Sequence, residues 1–191
     1  MATKGEKTRE FILDKSYALF AQKGFKSVTM KDVCEAADMS RGGLYSHFAS
    51  TKEIFEAIIV RMTGNAADTL YSEMEKGVSA VKILKKTLRH MEEEMKHPED
   101  SLSLAVYEYS EMVDSDSMIK INKDGEKKWA SFIRYGIERG EFNKVNVDEI
   151  VNILTYSYQG VRMWSRIIPL KLQTIRSITN HIEHQLIGGR K

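Results

Sequence analysis

The chain has 191 residues, of which 42% are hydrophobic and 29% charged, and it contains only two prolines. That length allows a core burying about 70% of the unfolded surface, in helices that proline does not interrupt. One cysteine excludes an intramolecular disulfide, and a net charge of +2 makes no general polyanion binder of it. No apolar run is long enough to span a bilayer, and the opening MATKGEKTRE is too polar for a secretory signal, so a cytoplasmic protein with no membrane partner is expected. The excess of +2 lies wholly within residues 1–63, and the remainder is neutral.

The first helix is predicted from about Glu6 to Lys23. Phe11 or Ile12, Ser16, Leu19 and Phe20 recur at helical spacing and form its inward stripe. Gly24 ends it as a left-handed residue, and Phe25 packs back on the helix end. Lys4, Lys7 and Arg9 lie at its free start. They reach DNA only if that tail becomes ordered there, and Lys4 reads best as solvated.

The stretch TMKDVCEAADMSRGGLYSHF, residues 29–48, reads as two short helices around a tight turn. The first covers about Thr29 to Ala37, with Thr29 as its cap and Asp32 at the positive end of its dipole. Val33 and Ala37 share one face. Asp38 falls where the turn calls for positive φ, which Asp tolerates better than most residues. The second helix covers about Ser40 to Phe48. Ser40 is its cap, with Leu44 and Phe48 inward and Arg41, Gly42, Gly43, Tyr45, Ser46 and His47 outward. Two glycines cost a packing helix about 1 kcal/mol each, but they let a helix lie against a phosphate backbone or a base edge. A helix-turn-helix follows, with its second helix in a DNA major groove.

Ser50 and Glu53 have the spacing of a capping box at the start of the next helix, whose Ile54, Ile58 and Met62 face inward. Beyond Gly77 the expected helices cover about 79–97, 99–113, 117–139, 148–168 and 171–187. They are punctuated by Pro98, Gly140 in the turn ERGEF, and Pro169. No strand-like alternation occurs, so the fold class is all-α. The helix at 148–168 is apolar on more than one side, which points to a second buried surface besides its own core.

The combination of ILDKSYALFAQKGF, TMKDV and GGLYSHF resembles the N-terminal signature of TetR-type transcriptional regulators, over about residues 8–62. The resemblance implies a three-helix DNA-binding domain at 1–50. A linker helix joins it to a helical effector-binding and dimerisation domain at 51–191. Thr29, Lys31, Arg41, Gly43, Tyr45 and His47, carried over by position, together with Ser40, Gly42, Thr51 and Lys52 beside them form the expected DNA-binding set. Arg41 and Lys31 are the candidates for base contact. Thr29, Tyr45, His47 and either Thr51 or Lys52 are candidates for phosphate contact. The family often has Lys where Thr51 stands here. For Tyr45, packing against the preceding helix is an equal reading.

The implied function is that of a repressor bound to a palindromic operator as a homodimer through its last two helices. An unknown small hydrophobic or aromatic effector releases it. Trp129, Phe132, Tyr158 and Trp164 are the candidate effector-lining residues, although each taken singly also reads as core. The alternative is a DNA-binding dimer without an effector, governed by a protein partner. No cofactor is implied. Cys34 suits close helix packing better than nucleophilic chemistry. His181 with His184, and His90 with Glu94 and His97, have helical spacing that metal ligands use, but solvated histidines explain them better. Nothing in the chain supports an enzyme.

Overall fold

The computed structural model describes residues 3–113 and 115–189, and all the regular structure among them is helical. Two compact units are formed: Met1–Gly64 with Glu99–Asp114, and Asn65–Pro98 with Ser115–Lys191. The first unit therefore takes in a segment that lies, in sequence order, well beyond a boundary at residue 50.

The first unit contains α1 (Lys4–Lys23), α2 (Met30–Ala37), α3 (Arg41–Tyr45), the start of α4 (Thr51–Glu75) and α6 (Ser103–Ser110). α1 begins two residues earlier than expected because Thr3 and Glu6 form a capping box. The Thr3 amide donates to the Glu6 carboxylate at 2.6 Å, and the Glu6 amide to the Thr3 hydroxyl at 3.2 Å. Its inward face is Ile12, Leu13, Ser16 and Phe20, whereas Phe11 is exposed. Gly24 does have positive φ (+78°), but its ψ of 179° is extended rather than left-handed helical. The positive φ favours glycine there, and a Cβ would also press on the Glu108 carboxylate of α6 at 2.5 Å, a side-chain end that can move aside. Around that corner Phe20, Phe25, Phe55 and Tyr109 form an aromatic cluster, with Phe20 and Phe55 edge to face at 4.9 Å.

The second unit contains the C-terminal part of α4, then α5 (Ala80–Lys96), α7 (Ser115–Glu138), α8 (Val147–Trp164) and α9 (Leu172–Ile187). Leu84, Phe132, Ile133, Phe142, Ile182 and Leu186 lie at its centre. The ERGEF turn is fixed by packing. A Cβ on Gly136 would lie 2.2 Å from the Phe142 ring, so glycine lets Phe142 fold back onto α7.

Three expected helices are shorter than their sequence pattern. The segment 99–113 becomes a 3-10 turn at Pro98–Asp100 followed by α6, and the Ser103 amide donates to the Ser101 hydroxyl instead of a helical carbonyl. α8 stops at Trp164, whose carbonyl accepts from the amides of both Ile167 and Ile168. Pro169 disfavours a helical conformation at Ile168. α3 has five residues. The Ser46 hydroxyl donates to the Gly43 carbonyl at 2.7 Å, and the His47 amide tightens onto Leu44 at 2.9 Å.

Candidate nucleic-acid interface

The helix-turn-helix is built by local chemistry. Thr29 caps α2 in a capping box with Asp32, and its hydroxyl proton is donated back to the Asp32 carboxylate. Lys23 of α1 donates to the same carboxylate at 2.6 Å. Hydrogen bonds from Lys23 and Thr29 hold the Asp32 carboxyl well below the ordinary carboxylate range. Asp38 takes φ +49°, ψ +48°, and it is the one non-glycine residue with positive φ among those described. That left-handed residue turns the chain between the helices, and the Met39 amide bonds back to Cys34 at 2.9 Å. Ser40 caps α3 by accepting from the Gly43 amide at 3.2 Å.

The inner side of α3 is fixed by Leu44 (0% exposed) and Phe48 (1%), packed in the core of the unit. Its other side is open. Arg41, Gly42, Tyr45 and Ser46 are exposed, with Tyr45 at 52%, which favours an outward tyrosine over one packed on α2. Gly43 and His47 are half-buried. The two glycines differ. A Cβ on Gly42 would meet nothing within 4 Å, whereas one on Gly43 would sit 3.2 Å from the capping oxygen of Ser40. Gly42, not Gly43, is therefore the position where a missing side chain leaves the outer surface of the helix bare.

Lys31 is exposed on α2, 3.7 Å from Glu35. Lys52 is exposed in the first turn of α4, 3.8 Å from Glu56, and Thr51 is half-buried. Ion pairs this long and this exposed are weak and leave both ammonium groups available to a phosphate. Thr29 differs, because its hydroxyl is already donor and acceptor within the cap. Lys4 and Lys7 are exposed in the first two turns of α1. Arg9 turns inward to the His47 carbonyl, a role that its place near the chain start does not suggest.

Residues 12–58 match the family model for bacterial regulatory proteins, tetR family. Over that segment the chain is similar to the TetR family's DNA-binding domain. Over 54 residues it is 46% identical to the uncharacterized HTH-type transcriptional regulator YfiR of Bacillus subtilis, a match covering 28% of this chain and 26% of that protein. The chain thus spans about a quarter of that relative's length. A longer match, 23% identical over 180 residues, covers 86% of this chain and 84% of the HTH-type transcriptional repressor KstR2 of Mycobacterium tuberculosis. The solved structure of Salmonella enterica GusR superposes with a TM-score of 0.69 at 24% identity, covering 95% of this chain and 94% of that one, which establishes the fold.

The second unit does not assemble the four aromatics expected to line an effector site. Phe132 is fully buried and packs edge to face on both Trp129 (6.1 Å) and Phe142 (5.5 Å), so it belongs to the core. Trp164 is 57% exposed at the end of α8. Tyr158 borders a gap of about 10 Å³ between α5, α8 and α9, too small for an organic ligand, and donates its hydroxyl proton to Glu94. The roomier cavity described in this unit is an open groove of about 470 Å³ between α4 and α7, lined by Tyr71, Met74, Glu75, Ser131, Arg134, Tyr135 and Glu138. The groove lies where two long helices part, a tertiary feature.

His90 lies 3.8 Å from Glu94, the carboxylate that Tyr158 already occupies, and His181 and His184 are exposed on α9. Cys34 is buried within the packed side of α2. No described helix is long and apolar enough to cross a membrane.

Proposed function

We propose that this protein is a cytoplasmic, homodimeric, effector-responsive repressor that binds a palindromic operator through α3. One observation carries the reading. A short helix with a fully buried apolar side presents Arg41, Gly42 and Tyr45 outward, with bare backbone at Gly42. Arg41 and Lys31 read base edges. Tyr45, His47, Thr51 and Lys52 hold phosphates and set the register. Thr29 contributes by capping α2 rather than through its hydroxyl.

The dimer reading is supported by α8 and the turn after it. Ile153, Tyr156, Trp164 and Ile167 are exposed at 36%, 60%, 57% and 69%. The first three recur at helical spacing on α8, and Ile167 and Ile168 continue the apolar surface beyond its end. A second copy packing its own α8 and α9 there buries this surface under a twofold axis, matching a palindromic site. The two recognition helices must then lie about 34–36 Å apart to enter successive major grooves.

The effector reading rests on the groove between α4 and α7, whose Tyr71, Met74 and Tyr135 suit a flat or apolar body. An effector releases the operator only to the extent that it binds the released state more tightly. The test is selection of bound fragments from genomic DNA by the purified protein, followed by titration of the recovered operator complex with candidate effectors. A two-half-site consensus supports the reading, and an effector that binds tightly yet leaves operator affinity unchanged contradicts the release step.

A further inference from the structure

Arg9 lies in the second turn of α1, 38 residues before His47, yet its guanidinium is committed to the far end of α3. Nη1 donates to the His47 carbonyl at 2.5 Å. Cζ lies 3.8 Å from the centroid of the Phe48 ring. Nη2 is 3.5 Å from Oε1 of Glu53 in α4. The other oxygen of Glu53 accepts from the Ala49 amide at 2.7 Å. One planar cation therefore touches residues 47 and 48 directly and reaches 49 through Glu53.

α3 needs such support. A helix of one to two turns is marginal in water, and two glycines weaken it further. Its last carbonyls are closed only by a tight turn, in which the Ser46 hydroxyl donates to Gly43 and the His47 and Phe48 amides share Leu44. Its N-terminal end is held by the Ser40 cap and its inner side by Leu44. Just beyond the C-terminal end a cation both bonds the His47 carbonyl and suits the negative pole of the helix. Stacking on a ring while donating in two directions within one plane is guanidinium geometry, which an ammonium cannot reproduce.

We infer that Arg9 is a positioning residue for DNA recognition: it sets the rotation and depth of α3 by clamping that helix's C-terminal end to α1 and to the start of α4, without contacting DNA. The inference rests on the DNA-reading role proposed for α3. It separates Arg9 from Lys4, Lys7 and Lys52, which bear the same charge but have no comparable internal commitment.

The experiment uses full-length R9K and R9A, the selected operator, an unrelated duplex of equal length, a salt series, and amide hydrogen exchange without DNA. R9K keeps the charge and loses the stack and fork, and it carries the test if R9A does not fold. Both variants are expected to bind the operator at least about tenfold more weakly, the scale of one lost base contact. R9K should bind the unrelated duplex as the unaltered protein does, and the salt slope should not change. Amides from Leu44 to Ala49 should exchange faster, with α5 and α9 unaffected. Operator binding by R9K at the original level would overturn the inference. So would a salt slope flattened by about 0.9 in R9A with discrimination intact, the signature of a lost phosphate contact. Unchanged exchange at residues 44–49 would also overturn it. If the unaltered protein selects no sequence, the DNA-reading proposal fails, and hydrogen exchange alone decides the clamp.

Discussion

The Glu141 carboxylate accepts a hydrogen bond from the Ser79 hydroxyl at 2.5 Å, so the ERGEF turn caps the N-terminal end of α5. The same group accepts from the Val81 amide at 3.3 Å and from Arg139 Nε at 2.6 Å. Ser79 precedes α5 but makes no cap of its own to the helix amides, and Glu141 supplies that function from another part of the chain. These bonds, that from Ser79 foremost, pull the Glu141 carboxyl from 4.5 down to about 2.

A pH dependence follows. The folded value lies below the unfolded one, so the stabilisation is complete above the unfolded value of 4.5 and is lost as pH falls through about 2. E141Q should melt below the unaltered protein at neutral pH, and the difference should shrink as the solution is acidified. Thermal melts across that range check it. A constant difference at every pH would assign the loss to shape rather than charge.

Gly42 and Gly43 should respond oppositely to alanine. G42A adds a methyl in open space on a helix, so it should stabilise the fold by about 0.5–1 kcal/mol while weakening operator binding. G43A places its methyl 3.2 Å from Ser40 Oγ, so disturbance of the cap should offset any gain. Denaturant midpoints and operator affinity for the two variants, side by side, test the distinction.

Arg41 and Lys52 should separate base reading from phosphate holding. R41A should cost about 1–3 kcal/mol of operator affinity and relax preference at one base pair in each half-site. K52A should weaken all sequences alike and reduce the salt slope by about 0.9. Normal operator affinity in R41A would remove that residue from the base-reading set.

Asp38 carries the left-handed turn. D38G should be tolerated or slightly stabilising, whereas D38V should destabilise by about 1–2 kcal/mol, because a β-branched side chain resists φ of +49°. Chemical denaturation distinguishes the two.

Much of this was legible in the sequence because local rules control it. The caps at Thr29 and Ser40, the positive φ at Asp38 and the buried Leu44 and Phe48 follow from neighbours within four residues. Arg9 was not legible, since its partners lie 38 and 44 residues away and its position near the chain start suggests a free tail. Nor was the attachment of α6 to the first unit, which depends on Tyr109 reaching Phe25, Phe55 and the Glu56 carboxylate. The candidate aromatics of the second unit are sorted by packing, not by residue type. Phe132 fills the core and Trp164 faces outward, so the lining of a cavity cannot be read from residue type alone.

The dimer surface has its own test. I153E combined with W164E should yield a folded monomer by sedimentation, with helical content preserved and operator affinity greatly reduced. A double variant that remains dimeric would move the interface away from α8.

The measurement that bears most directly on the central claim is selection of genomic DNA fragments by the purified protein at moderate salt, with sequencing of the bound pool. The account predicts a short consensus of two inverted half-sites spaced by about one helical turn. Recovery of no preferred sequence by folded, dimeric protein, with and without candidate effectors, would contradict it.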